Sequence, residues 1–169
     1  MSNNASENVN FSGCELNYNC DHPAFNPNPT TIISETPRPV SVNGKRMPVI
    51  DMHAHCQLSN IWPLVEGREE LKGGNPYEGQ LKETENIDVR LQHMDQMGTD
   101  LEVLSIGTEQ HFHWAEYDLA RDIATLQNET LTEVCAANTD RFVPLGVVSL
   151  QHPQLAAEQL ENSIKNLGH

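Results

Sequence analysis

Apolar positions are sparse and irregular over the first 46 residues and become periodic afterwards. In residues 1–46 Asn is abundant, Pro stands at 23, 27, 29, 37 and 39, and neither a helical nor an alternating pattern persists. Such a segment buries too little surface to offset its ordering entropy. It is therefore expected to be a mostly irregular, flexible arm. Asn43-Gly44, just ahead of the first apolar run, predicts a turn.

From residue 47 onward, short apolar runs alternate with helical stripes. The run from Met47 to His53 predicts a strand. Residues 56–86 read as loop, broken by Gly73-Gly74-Asn75-Pro76. Ile87, Leu91, Met94 and Met97 mark one face of a short helix, with Asp88 in its first turn and Gly98 as its stop. Leu101 to Ile106 predicts a second strand. A longer helix over about 115–138 would turn Leu119, Ile123, Leu126, Leu131 and Val134 inward. Phe142 to Val148 predicts a third strand, although Pro144 belongs at a strand end or bulge. The last helix has Pro153 in its first turn, Ala156, Leu160, Ile164 and Leu167 inward, and Gly168 as its stop.

The order is arm, then β-α-β-α-β-α, which implies an α/β fold with a parallel sheet and right-handed crossovers. An open doubly wound sheet and the first three units of a barrel both fit. Periodicity does not separate them.

Charge narrows the partners. Asp and Glu number 24 against 10 Lys and Arg, for a net −14. A chain so acidic is expected to bind neither nucleic acid nor an anionic membrane, since both need a basic face. The N-terminus lacks the basic and apolar regions of a secretory signal, and no apolar run approaches the roughly 18 residues that span a bilayer. Cysteines at 14, 20, 56 and 135 follow no disulfide-framework spacing. A cytoplasmic protein with reduced thiols is the expectation.

The chemistry concentrates in Asp51-Met52-His53-Ala54-His55, at the end of the first strand. Residues two apart on a strand project the same way, so His53 and His55 leave it together, about 7 Å apart at Cα. Two imidazoles so placed can converge on one ion, and neutral imidazole suits zinc and its neighbours. A His-x-His pair in arbitrary sequence is mostly surface histidine. Placement where parallel α/β folds gather catalytic groups favours ligation instead. Asp51 reads as a buried hydrogen-bonding carboxylate rather than a ligand.

Val49-Ile50-Asp51-Met52-His53-Ala54-His55 resembles the first-strand metal motif of the amidohydrolase superfamily. More narrowly, it is similar to that of the aminocarboxymuconate-semialdehyde decarboxylase-like branch. Residues 90–98 and 99–105 are similar to that branch's first helix and second strand. Asn128 through Gly146, with Arg141-Phe142-Val143-Pro144-Leu145-Gly146 at its end, resembles the next helix and third strand. Gln151 to Glu161 resembles the third helix. The likeness covers about 47–169 and leaves out the arm.

That resemblance implies a (β/α)8 TIM-type barrel, of which residues 47–169 would supply about three βα units. It also implies a divalent metal, zinc foremost with manganese as the other option, and a small-molecule carboxylic acid as substrate. The expected reaction is non-oxidative decarboxylation of an unsaturated or aromatic acid by a carbon–carbon lyase. Some relatives hydrolyse or hydrate on the same scaffold. The family's remaining parts are a middle-strand histidine, a last-strand aspartate and an acid–base histidine. None has a counterpart here, so the catalytic residues are expected beyond the end of this chain.

A catalytic zinc site wants three protein ligands, and the barrel needs roughly 250 residues. The 169 residues are thus expected to be part of a longer enzyme, inactive alone, whose full-length form could be a homo-oligomer. A non-catalytic fragment that pairs with a partner chain is the reading from another class; it predicts no loss on changing His53 or His55.

Other candidates are secondary. Phe112 and Trp114, following the second strand, are expected substrate-pocket walls, against the alternative that Trp114 packs the start of the long helix. His111 and His113 are read as solvent-facing loop. Cys14, Cys20 and His22 lack a usual zinc-ligand spacing, Cys56 is expected as a packed thiol, and Arg90 is expected to form an ion pair.

Overall fold

The computed structural model describes residues 9–11, 39–72 and 86–169. Strands β1 (Val9–Phe11), β2 (Val40–Val42) and β3 (Lys45–Met47) form an antiparallel sheet in that order. Strands β4 (Ile50–Cys56), β5 (Leu101–Ile106) and β6 (Phe142–Pro144) form a parallel sheet, also in chain order. The helices are α1 (Trp62–Val65), α2 (Ile87–Met97), α3 (Tyr117–Ala136) and α4 (Pro153–Asn162), the last continued by a π-type turn over Ser163–Leu167. The expected strand and helix order after residue 47 is present. Its parallel sheet follows.

Part of the segment read as irregular is paired. Asn43 at φ 51° and Gly44 at φ 75° form a two-residue turn with both centres left-handed, which Asn and Gly tolerate best. The turn sets Val42 opposite Lys45 in the β2–β3 hairpin. Cys14, Cys20 and His22 lie outside the described residues, as does the breaker at residues 73–76.

Asp100 ties the hairpin to the parallel sheet. Its Oδ1 accepts from Arg46 Nη2 at 2.7 Å and its Oδ2 from the Val49 amide at 2.7 Å. The Arg46 hydrogen bond, then that amide, hold its carboxyl below the ordinary range. A depressed folded pKa stabilises above the unfolded value and loses that contribution as pH falls through the folded one. The tether is expected to weaken below about pH 4. Urea unfolding at pH 3 and pH 7 should show a shallower acid loss in Asp100→Asn than in the wild type; equal losses would discard this role.

Between sheet and helices lies the core, with Leu104, Met94, Leu131, Ile61 and Val65 fully buried. Asn86 caps α2 by accepting from the Val89 amide, and Gly98 ends it at φ 75°. Two helices follow their expected stripes in part: Ile87, Leu91 and Met94 of α2 and Ala156 of α4 face the core. Arg90 and Met94 are the buried residues of α2 while Met97 is exposed; on α4, Leu155, Ala156 and Gln159 are buried while Leu160 and Ile164 are exposed. The stripe touching the sheet is set by crossing geometry, which moves one position without altering the apolar period.

The third strand is shorter than expected. Leu145 still donates to Leu104 O at 2.9 Å, but β6 ends at Pro144. Beyond it, Asn128 of α3 takes over: its Oδ1 accepts from the Val147 amide at 2.7 Å and its Nδ2 donates to Val147 O at 2.9 Å. A side chain replaces the ladder there.

Candidate metal centre

The parallel sheet brings the C-terminal ends of β4 and β5 side by side, with His55 directly beside Ser105. Pairing is regular from Ala54 to Cys56, whereas the register shifts between Asp51 and Ala54. A regular strand would put Asp51 on the same face as His53 and His55. In the irregularity, Asp51 is half-buried and its Oδ1 accepts from the His53 amide at 2.9 Å. It thus acts as a backbone partner of the histidine segment, as expected, although it is not fully buried.

His53 and His55 both stand exposed while Ala54 and Cys56 point into the helix-covered core. The rings meet edge to face with centroids 4.6 Å apart, and their Nε2 atoms are 3.0 Å from each other. Two ligands at right angles, each about 2.1 Å from one ion, stand about 3 Å apart. At the tetrahedral angle that zinc favours, the same two ligands stand about 3.4 Å apart, so the 3.0 Å pair has the spacing of a right-angled site and would open slightly around a tetrahedral ion. Ser105 Oγ lies 3.0 Å from His55 Nδ1. Among the described residues, no group of three or more His, Cys, Asp and Glu side chains is placed to hold an ion.

Buried polar contacts fix this end of the sheet. Arg90 of α2, 8% exposed, pairs through Nε with Glu102 of β5 and donates from Nη1 to His55 O at 2.9 Å. The expected ion pair at Arg90 is therefore present, and the guanidinium is committed to protein. Gln110 clamps the loop after β4: Oε1 accepts from the Leu58 amide and Nε2 donates to Leu58 O, at 2.9 and 3.0 Å.

Sequence reasoning missed Ser105 and Glu102. Their signal was a polar residue inside an otherwise apolar strand, read only as part of the run Leu101 to Ile106.

The segment after β5 packs its aromatic residues against one another. Phe112 is 4% exposed, with φ 43°, and packs edge to face between Trp62 and Trp114 at 6.0 and 5.7 Å. It belongs to the hydrophobic core cluster, packed against both indoles. Trp114 is half-buried and keeps accessible surface. The His111 and His113 rings stack at 5.6 Å. Burial, then repulsion from His113, holds His111 below the ordinary imidazole range. Cys56 is a packed thiol pushed up to about 12 by burial.

No family model matches the chain. Over 81 residues, 48% of this chain, it is 37% identical to a gamma-resorcylate decarboxylase of Rhodococcus jostii, covering 25% of that protein. A 2-amino-3-carboxymuconate-6-semialdehyde decarboxylase of Dictyostelium discoideum is 31% identical over 81 residues, 48% of this chain and 23% of the relative. Both relatives are decarboxylases. The matched stretch spans about a quarter of the length of those curated relatives.

Solved structures extend the likeness beyond that stretch. A dihydroxybenzoic acid decarboxylase from Polaromonas, with bound manganese and the inhibitor 2-nitroresorcinol, superposes with a TM-score of 0.59 at 26% identity, over 72% of this chain and 36% of its own. The α/β fold thus matches that of amidohydrolase-type barrel decarboxylases over part of the chain. Among the described residues, no helix is long and apolar enough to cross a membrane.

Proposed function

We propose that this chain carries the metal-binding opening part of a non-oxidative decarboxylase acting on an aromatic or unsaturated carboxylic acid. His53 and His55 hold a divalent ion, zinc foremost and manganese as the alternative that the Polaromonas neighbour contains. The observation that carries this is the pair of Nε2 atoms facing each other at 3.0 Å on the exposed face of β4.

When bound, such an ion supplies a positive charge that orients a carboxylate and stabilises charge developing as carbon dioxide leaves. His53 and His55 contribute neutral imidazoles. Trp114 supplies an apolar wall beside the strand ends, and Arg90, paired with Glu102, keeps the His55 backbone in place. The fold resembles the first three βα units of a barrel. Among the described residues, β6 is paired on one side only, and Val143, Leu145, Leu160 and Ile164 are exposed. Further strands and helices would cover those positions. The remaining ligands and the acid–base group are assigned to polypeptide outside this sequence, so the chain by itself is expected to be inactive.

Calorimetric titration with Zn2+ and with Mn2+, on the chain and on the double variant His53→Ala, His55→Ala, tests the assignment. Affinity should fall at least about tenfold in the variant, the usual minimum for disturbing a metal site. Equal affinity in both would remove the metal centre and the decarboxylase reading with it.

A further inference from the structure

We propose that Ser105 is the positioning residue for His55, its hydroxyl oxygen accepting a hydrogen bond from Nδ1–H so that the Nε2 lone pair faces His53. The inference rests on the metal reading above and deepens it: ligand geometry is set by the second strand as well as the first.

Register makes the contact. His55 and Ser105 are partners in the parallel β4–β5 pair, so their side chains leave the sheet together, and Oγ comes within 3.0 Å of Nδ1. The His55 backbone is held separately, by that pairing and by Arg90 Nη1 at its carbonyl. The ring's two side-chain torsions are then restrained from both ends, by Ser105 at Nδ1 and by His53 at Nε2. Leu101, Val103, Leu104 and Ile106 supply the apolar packing of β5, so a polar side chain at 105 adds little to the core.

The tautomer decides whether the pair can take an ion. A neutral imidazole carries one proton, and a serine hydroxyl can accept or donate. With the proton on Nδ1, His55 donates to Ser105 and its Nε2 accepts the hydrogen bond from His53 Nε2–H across the 3.0 Å gap, so only His53 has to change tautomer before an ion enters. In the opposite arrangement Ser105 donates to Nδ1, and an Nε2 proton lies between the two histidines, 3.0 Å apart. That proton must leave before an ion enters. Fixing the ligand tautomer through the other ring nitrogen typically changes metal affinity by 10- to 100-fold.

Nitrogen-15 spectra of the metal-free chain report directly which nitrogen of His55 is protonated, and Zn2+ titration reports affinity. The Nδ1–H form is expected in the wild type and in Ser105→Thr, which keeps the hydroxyl. Ser105→Ala should lose that preference and bind Zn2+ about 10- to 100-fold more weakly. An Nε2–H tautomer in the wild type, or unchanged tautomer and affinity in Ser105→Ala, would overturn the proposal. If the wild type binds Zn2+ no better than the double histidine variant, the metal reading fails and this inference falls with it. If the wild type binds well and Ser105→Ala equally well, only the role of Ser105 falls.

Discussion

Arg90→Met should destabilise the folded chain by about 3–5 kcal/mol, the usual cost of removing one partner of a buried ion pair. Arg90 and Glu102 are 8% and 4% exposed, so the surviving carboxylate could not recover water without opening the contact between α2 and β5. The same change strips His55 O of its side-chain donor. A folded domain has a stability of about 5–15 kcal/mol. The loss is therefore a large share of the total.

The double variant Arg90→Met, Glu102→Met separates two explanations. If the pair itself were the stabilising element, both variants would be similarly weak. Replacing both partners by apolar residues of similar volume is instead commonly near neutral, so the double variant should recover most of the loss. Urea unfolding midpoints with unchanged slope give the comparison. An Arg90→Met midpoint within error of the wild type would mean the pair is solvated, contrary to its burial.

The pair also links fold to site. Arg90 reaches from α2 to the carbonyl of one proposed ligand, while Ser105 reaches from β5 to its ring. Sequence periodicity displayed α2 and β5 readily, because apolar spacing and a glycine stop are local signals. His53 and His55 were legible for the same reason: two residues apart on one strand is a local relation. The partners of His55 were not. Ser105 acquires its role from the parallel register between β4 and β5, which pairs residues about fifty apart in sequence, and Arg90, the donor to the His55 carbonyl, is fixed by Glu102 across the contact of α2 with β5; nothing in a single strand's pattern encodes either. The packing of Phe112 against Trp62 and Trp114 is of the same kind, since it depends on where the chain turns. So are the buried positions of α2 and α4 that fall outside their expected stripes: the period is local, the phase is tertiary.

Asn128→Ala is the second large effect expected, at about 2–5 kcal/mol. Asn128 is 2% exposed and forms both hydrogen bonds to the Val147 backbone, at 2.7 and 2.9 Å. Alanine would leave that amide and carbonyl buried without partners. Each unsatisfied buried group costs about 1–3 kcal/mol, and truncation leaves a small gap as well. Among the described residues β6 pairs with β5 alone, and that pairing ends at Leu104 and Pro144, so no ladder takes over from the side chain. The loss should be visible locally as well as globally. In the wild type the Val147 amide is expected to exchange hydrogen only on global unfolding, whereas in Asn128→Ala it should exchange through local opening, faster by orders of magnitude. Ser149 also binds Gln159 and Ala120, so its amide should stay better protected than that of Val147. Protection retained at Val147 with an unshifted urea midpoint would show that this stretch is held by its flanks, and that the side chain from α3 is dispensable.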